Sequence, residues 1–212
     1  MLKVLSVLIS YFLGNILFAK VVASLKKVDF KGKGSGNPGA TNTFRVMGPA
    51  FGGLTLLGDT LKGVLAVYLG ELVGGAETAA LCGLAVVIGH NWPVFFSFQG
   101  GKGIATSLGA IIVLVPKVLW VLIPLWILVF LLSRYVSLAS LAAAIALTFA
   151  YIWLYPVNGS MLFFLLTASI LAIYRHKANI QRLLSRKENR INLGWGAQAP
   201  HRNNQEDQEE NK

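Results

Sequence analysis

Lys31-Gly-Lys-Gly-Ser-Gly-Asn-Pro-Gly-Ala-Thr-Asn-Thr-Phe-Arg45 is a polar interruption between two apolar blocks, with four glycines, two lysines and an arginine in one short run. Gly34, Gly36 and Gly39 can take positive φ and leave backbone amides uncovered, so successive N–H groups can converge on one small anion. Ser35, Asn37, Thr41 and Asn42 add short side-chain donors. A helix starting near Gly39 or Ala40 would aim its first amides and its dipole at the same point, with Arg45 on its first turns. Phosphate is the guest such a stretch predicts. The run Gly-Ser-Gly-Asn-Pro-Gly is also what a flexible loop looks like, so the flanking blocks have to decide.

Those blocks are membrane segments. Of 212 residues, 55% are hydrophobic and only 13% charged, against roughly 25% charged in soluble domains, and the mean hydropathy is +0.62. The formal charge of +10 is concentrated in the body, because Glu206, Asp207, Glu209 and Glu210 sit in the last few residues. In a lipid-facing chain this balance points to anionic headgroups or a phosphorylated substrate, and no aromatic-and-basic module for nucleic acid is present. Cys82 is the only cysteine and lies in an apolar run, which leaves no disulfide framework. Asp59, Glu71, Glu77 and Glu188 are scattered, so neither a metal site nor a cofactor is expected.

Residues 2–25 are apolar for about the length that crosses a bilayer and lack a signal-peptide cleavage pattern, which predicts a retained first span. Lys26, Lys27, Lys31 and Lys33 follow, and the positive-inside rule puts the glycine-rich stretch in the cytoplasm and the N-terminus outside. Spans at 50–72 and 78–96 enclose an acidic outer loop at 71–77. They deliver a second polar stretch, Gly89-His-Asn-Trp-Pro-Val-Phe-Phe-Ser-Phe-Gln-Gly-Gly-Lys-Gly-Ile-Ala-Thr106, to the cytoplasmic side. Residues 104–132 are too many apolar positions for one untilted span, so they are split at Pro116-Lys117, which returns Arg134 to the cytoplasm. Spans at 136–155 and 159–174 complete an all-α bundle of seven membrane helices, N-terminus outside and C-terminus cytoplasmic. Residues 1–192 form one polytopic domain. Residues 193–212 make a polar tail with too little apolar content to order itself.

Gly34-Ser-Gly-Asn-Pro-Gly-Ala-Thr-Asn42 with Arg45 resembles the first signature of the bacterial acyl-phosphate:glycerol-3-phosphate acyltransferases, the PlsY family. Gly89-His90 through Pro93, Phe95, Phe96, Phe98 and Gly100-Gly-Lys-Gly103 is similar to the second signature. His176, Asn179-Ile180 and Arg182-Leu183 through Glu188 are similar to the third. Asp59, Lys62-Gly63, and Arg134-Tyr-Val-Ser137 with Ser140 match further family patterns. The chain departs at Ser185-Arg186-Lys187-Glu188, which lacks the glycine usual just before the Glu.

The resemblance implies transfer of a fatty acyl group from acyl phosphate to the 1-hydroxyl of glycerol 3-phosphate, giving 1-acylglycerol 3-phosphate (lysophosphatidic acid) and phosphate. This is the first acylation of phospholipid synthesis, carried out in the bacterial inner membrane with the site facing the cytoplasm. It further implies membrane lipid and the enzyme that makes acyl phosphate as partners. Two phosphates must then be held close together against their repulsion, which a glycine nest with Arg45 and Lys102 can do. Ser35, Arg45, Lys102 and His176 are the catalytic candidates. Gly34, Gly36, Asn37, Gly39, Thr41, Asn42, His90, Gly100, Gly101, Gly103, Ser137, Ser140, Asn179 and Arg182 are the substrate-binding ones. The nest around Ser35 and Gly36 is assigned to the acyl phosphate; Arg45, Lys102, Ser140, His176 and Asn179 go to glycerol phosphate or the leaving phosphate. An acyl phosphate is already activated, so no acyl-enzyme is needed, and no Gly-x-Ser-x-Gly elbow is present. His176, His90 or a donor phosphate oxygen can take the proton. Asp59 and Lys62 form an i, i+3 pair that neutralises itself and pins helix packing, or contacts substrate. A phosphate or phospholipid transporter and a lipid phosphatase are the rival readings. The one-sided placement of the polar motifs opposes the first, and the lack of a His nucleophile or metal–carboxylate set opposes the second.

Overall fold

The computed structural model describes residues 1–28 and 33–191, and every regular element among them is helical. Lys31, Asn192 and the tail expected from residue 193 lie outside the described residues.

The first apolar block is a bent pair, α1 (Leu2–Gly14) and α2 (Phe18–Leu25), turned by 42°. The break frees the carbonyls of Gly14 and Ile16, and Lys62 Nζ donates to both, at 3.0 and 2.6 Å. A short helix α3 (Ala40–Met47) follows the glycine-rich loop, capped by Gly39 as the sequence predicts. α4 (Pro49–Asn91) covers 43 residues as two helices joined at a kink, where Gly74 and Gly75 leave helical geometry, with φ of +72° at Gly75. The two halves run antiparallel. A Cβ on Gly70 would lie 2.6 Å from Ala79 Cα, and one on Gly83 would lie 3.2 Å from Val67 Cγ2. The second and third expected segments are therefore the arms of this hairpin. The second arm stops at Asn91 rather than 96, because Pro93 removes a donor and Val94–Phe96 makes only one 3₁₀ turn.

The proline also divides residues 104–132. α5 (Ile104–Leu114) ends at Val115, a 3₁₀ turn covers Pro116–Val118, and α6 (Leu119–Ser133) continues. Both pieces fall where the split at Pro116 puts them, and the first is the shorter. Eleven residues of α5 make about 16 Å of helix, roughly half a hydrocarbon core of about 30 Å. α7 (Val136–Leu154) and α8 (Gly159–Arg175) match their expected segments, and Asn158 Oδ1 caps α8 by accepting from the Met161 amide at 3.1 Å. A 54° bend leads into α9 (Lys177–Leu184). Among the described residues, three helical stretches, Pro49–Phe96, Pro116–Ser133 and Val136–Leu154, are long and apolar enough to cross a membrane, and up to five if each bent pair counts as one.

Glycines set the closest crossings. A Cβ on Gly14 would land on the Val86 carbonyl and one on Gly89 on the Tyr11 carbonyl; Gly63 and Gly109 do the same between α4 and α5, against Thr106 and Thr60. Small residues let helix backbones approach where lipid offers no hydrophobic drive. The apolar core fills behind them, with Val67, Val118, Phe164 and Leu165 all at 1% exposure or less.

Candidate active site

A cavity of about 760 Å³ opens among α3, the first arm of α4, α5, α6, α7 and α8. Its polar end is lined by Ser35, Asn37, Thr41, Arg45, Lys102, Ser137, Ser140, His176, Asn179 and Glu188. Its other end is apolar, with Leu108, Ile111, Leu119, Leu122, Trp126, Ala144 and Leu147. Residues expected from three separate stretches thus meet in one space. Gly39, Asn42, His90 and Gly103 also line it, whereas Gly34, Gly36, Gly100, Gly101 and Arg182 stand behind the lining.

The first stretch is folded around Asn42. Its Oδ1 accepts from the Ser35 amide at 2.8 Å and its Nδ2 donates to the Lys33 carbonyl at 3.3 Å. Gly34 and Gly36 take φ of +59° and +69° as expected. The amides of Ser35 and Gly36 are nevertheless engaged inside the loop, the second on the Lys33 carbonyl at 3.0 Å. The Gly39 amide is likewise engaged, on the Asn37 carbonyl at 2.9 Å, which leaves Ala40 and Thr41, bordering the cavity at the start of α3, where first-turn amides have no intrahelical acceptor. Arg45 holds the Asn189 carbonyl with Nη2 at 3.2 Å and keeps the rest of its fork on the cavity side.

Glu188 organises the third stretch. Ser137 Oγ and Asn179 Nδ2 donate to its Oε1 at 3.0 and 2.7 Å, and Arg182 Nε to its Oε2 at 2.7 Å. Burial pushes its carboxyl up, but these hydrogen bonds and the Arg182 charge outweigh burial and hold it below the usual range. Ser137, Asn179 and Arg182, expected on substrate, therefore spend polar atoms on a carboxylate that no site assignment from sequence included. Arg186, two places ahead of Glu188, takes φ of +57°, and the Lys187 amide closes the turn on the Arg182 carbonyl at 2.7 Å.

His176 sits in the junction of α8 and α9. Its Nδ1 lies 2.7 Å from the Ala172 carbonyl; a carbonyl only accepts, so Nδ1 carries the proton and Nε2 keeps its lone pair. Burial, then the Lys102 charge, pulls His176 down to about 4, so the ring is neutral at pH 7. Burial likewise pulls the Lys102 ammonium down to about 8, with Glu188 opposing and Arg182, Arg45 and Arg175 reinforcing. Ser140 Oγ accepts from the Trp126 indole at 3.3 Å, which places that tryptophan at the cavity wall.

Asp59, Lys62 and His90 form a buried cluster in the cavity wall, which Asp59 and His90 line. Lys62 Nζ is 2.8 Å from both Asp59 Oδ1 and His90 Nδ1. With its bonds to Gly14 and Ile16, Lys62 spends its donors on the α1–α2 break, which favours the packing role foreseen for this pair over substrate contact.

A basic, phosphate-sized end joined to an apolar arm inside a helical membrane bundle defines an enzyme that handles an amphiphilic phosphate. Residues 4–186 match the family model described as glycerol-3-phosphate acyltransferase. A glycerol-3-phosphate acyltransferase of Desulforudis audaxviator is 45% identical over 186 residues, covering 87% of this chain and 93% of that one. One of Aquifex aeolicus is 44% identical over 188 residues, covering 87% and 97%. Among solved structures, PlsY (YgiH), an integral membrane glycerol 3-phosphate acyltransferase, is 42% identical in its glycerol 3-phosphate form. That structure superposes with a TM-score of 0.84 over 90% of this chain and 96% of the other. Its lysophosphatidic acid form superposes at 0.82. The chain belongs to the glycerol-3-phosphate acyltransferase family and has its integral membrane fold.

Proposed function

We propose that the chain transfers a fatty acyl group from acyl phosphate to the 1-hydroxyl of glycerol 3-phosphate, releasing 1-acylglycerol 3-phosphate and inorganic phosphate. The observation that carries this reading is the cavity itself, whose cationic end and apolar arm suit a phosphate joined to a fatty chain. Arg45 supplies a fixed fork and Lys102 a movable point charge for two phosphates that would otherwise repel each other. The start of α3 receives the donor phosphate, and the acyl chain lies along Leu108, Ile111, Leu122 and Leu147. The glycerol hydroxyl attacks the acyl carbon directly, the carbon–oxygen bond to phosphorus breaks, and phosphate leaves. A His176 imidazole held near 4 is a weak base, so a phosphate oxygen of the donor takes the proton of the attacking hydroxyl.

This reading includes the finer topology. Seven segments cross or enter the bilayer, the two arms of α4 counting separately, with the N-terminus outside and the C-terminus in the cytoplasm. The site faces the cytoplasm of the bacterial inner membrane, within reach of the enzyme that makes acyl phosphate. The charge bias of Lys26, Lys27, Lys33, Arg134 and Lys177 supports this orientation. Purified protein given acyl phosphate and glycerol 3-phosphate should form the ester and release one phosphate per ester. Phosphate release without ester would overturn the assignment in favour of a phosphatase, and neither product would favour transport.

A further inference from the structure

Arg175 ends α8 and reaches into the loop before Lys102. Its Nε donates to the Gly101 carbonyl at 2.9 Å and its Nη2 to the Gly100 carbonyl at 2.8 Å. The guanidinium also lies 5.5 Å over the Trp92 ring. His90 presses the same two residues from the opposite side. Its carbonyl accepts from the Gly101 amide at 3.0 Å, and a Cβ on Gly101 would fall on its ring, one on Gly100 on its carbonyl. His90 is itself fixed by Lys62 Nζ at 2.8 Å. Two glycines are thus held between a buried ring of α4 and a fork of α8, and the next residue is Lys102. The residue after Arg175 is His176, which lines the cavity together with Lys102.

We infer that Arg175 is a positioning residue for acyl transfer: by gripping Gly100 and Gly101 against His90, it fixes where the Lys102 ammonium stands relative to His176. The inference rests on the reading above, in which Lys102 contacts phosphate. Two successive carbonyls suit the planar fork of arginine, whereas a lysine reaches one of them and sets no angle. A charge displaced by about 1 Å can cost 100-fold in rate, so the role is visible in kinetics without any contact between Arg175 and substrate.

The test is a double-mutant cycle on the purified full chain, comparing native protein, Arg175→Gln, Lys102→Ala and the pair, with kcat/KM for ester formation and Tm as readouts. Arg175→Gln should lower kcat/KM by about 10- to 100-fold, with Arg175→Lys intermediate. In the Lys102→Ala background the same change should cost less than about twofold, because its effect passes through Lys102. A purely structural role would give multiplying losses and a lower Tm in both backgrounds, and that result would overturn the inference, as would normal kinetics in Arg175→Gln. If Arg175→Gln does not purify folded, Arg175→Lys carries the same cycle. Normal turnover by Lys102→Ala would instead sink the phosphate reading itself, and this inference with it.

Discussion

Replacing Glu188 by Gln keeps the shape of the side chain and removes its charge, and the geometry says what that costs. The glutamine oxygen can keep the two bonds on the Oε1 side, from Ser137 and Asn179. The amide nitrogen then faces Arg182 Nε, donor against donor, where a 2.7 Å bond stood. A hydrogen bond to a charged group is worth about 1.5–3 kcal/mol; the Arg182 side chain is 34% exposed, so the low end applies. The two retained bonds pass from charge-assisted to neutral and each lose roughly half their strength. The sum is about 3–4.5 kcal/mol, which for a chain of this size lowers Tm by roughly 6–18 °C. A second effect has a definite sign. Glu188 raises the Lys102 pKa, which stands at about 8, and a lysine that must be charged to hold phosphate loses function as pH rises through that value. Removing Glu188's charge lowers the Lys102 pKa further, so the alkaline limb of kcat/KM for glycerol 3-phosphate must move to lower pH. Thermal unfolding and a pH–rate series on the purified variant measure both. An unchanged Tm, or an alkaline limb that stays in place or moves upward, would refute the view of Glu188 as both clamp and counter-charge.

Arg45→Ala and Lys102→Ala should each lose most activity and stay folded, since each removes a charged contact that the proposed function places on phosphate, worth about 1.5–3 kcal/mol; near-normal turnover would take that residue out of the site. Gly36→Ala adds a methyl that meets nothing within 4 Å, so its damage comes from the positive φ of +69°. Gly34→Ala should be worse in the same assay, because its Cβ also collides with Asn42, the residue that shapes the loop. Lys62→Met should cost about 3–5 kcal/mol, because it leaves Asp59 buried without its partner and the Gly14 and Ile16 carbonyls without a donor; a normal melting curve would contradict that. In a Cys82→Ser background, cysteines at Gly75 and Lys117 should react with an impermeant thiol reagent from the periplasm, and one at Lys33 or Lys177 should not. Labelling at Lys33 from outside would overturn the orientation.

Much of the architecture is legible along the chain because membrane segments announce themselves by length and by what interrupts them. Pro116 marks its break because a proline has no amide to give, and the acidic, glycine-rich turn at residues 71–77 marks the hairpin in α4. The half-length of α5 is harder to see, since apolar residues continue on both sides of the proline and hydropathy does not register where a helix stops. Within the site, the cationic and glycine-rich stretches stand out as polar islands in an apolar chain, and thirteen of the eighteen expected residues line one cavity. The bond from Ser137 to Glu188, those of Lys62 to Gly14, Ile16 and His90, and that of Arg175 to Gly100 are not legible, because each joins groups tens of residues apart and spacing carries no sign of such pairs. The glycine nest went partly wrong for a related reason: Asn42, read as a ligand donor, turns back to occupy an amide its own loop had been expected to offer.

Lys62 also bears on how the bundle comes together during synthesis. A lysine and an aspartate at the centre of a helix each cost about 2.5–3.5 kcal/mol to place in the membrane, and the first arm of α4 carries both. Pairing them with each other at 2.8 Å relieves part of that. The rest waits on two backbone carbonyls of the α1–α2 break, a segment that leaves the ribosome well before α4 does. The broken first helix is therefore a receptor already in the bilayer when the charged arm arrives. Docking of α4 onto it is the step at which a costly intermediate becomes a stable one, and a chain lacking the first helix should fail at membrane insertion before it fails at catalysis.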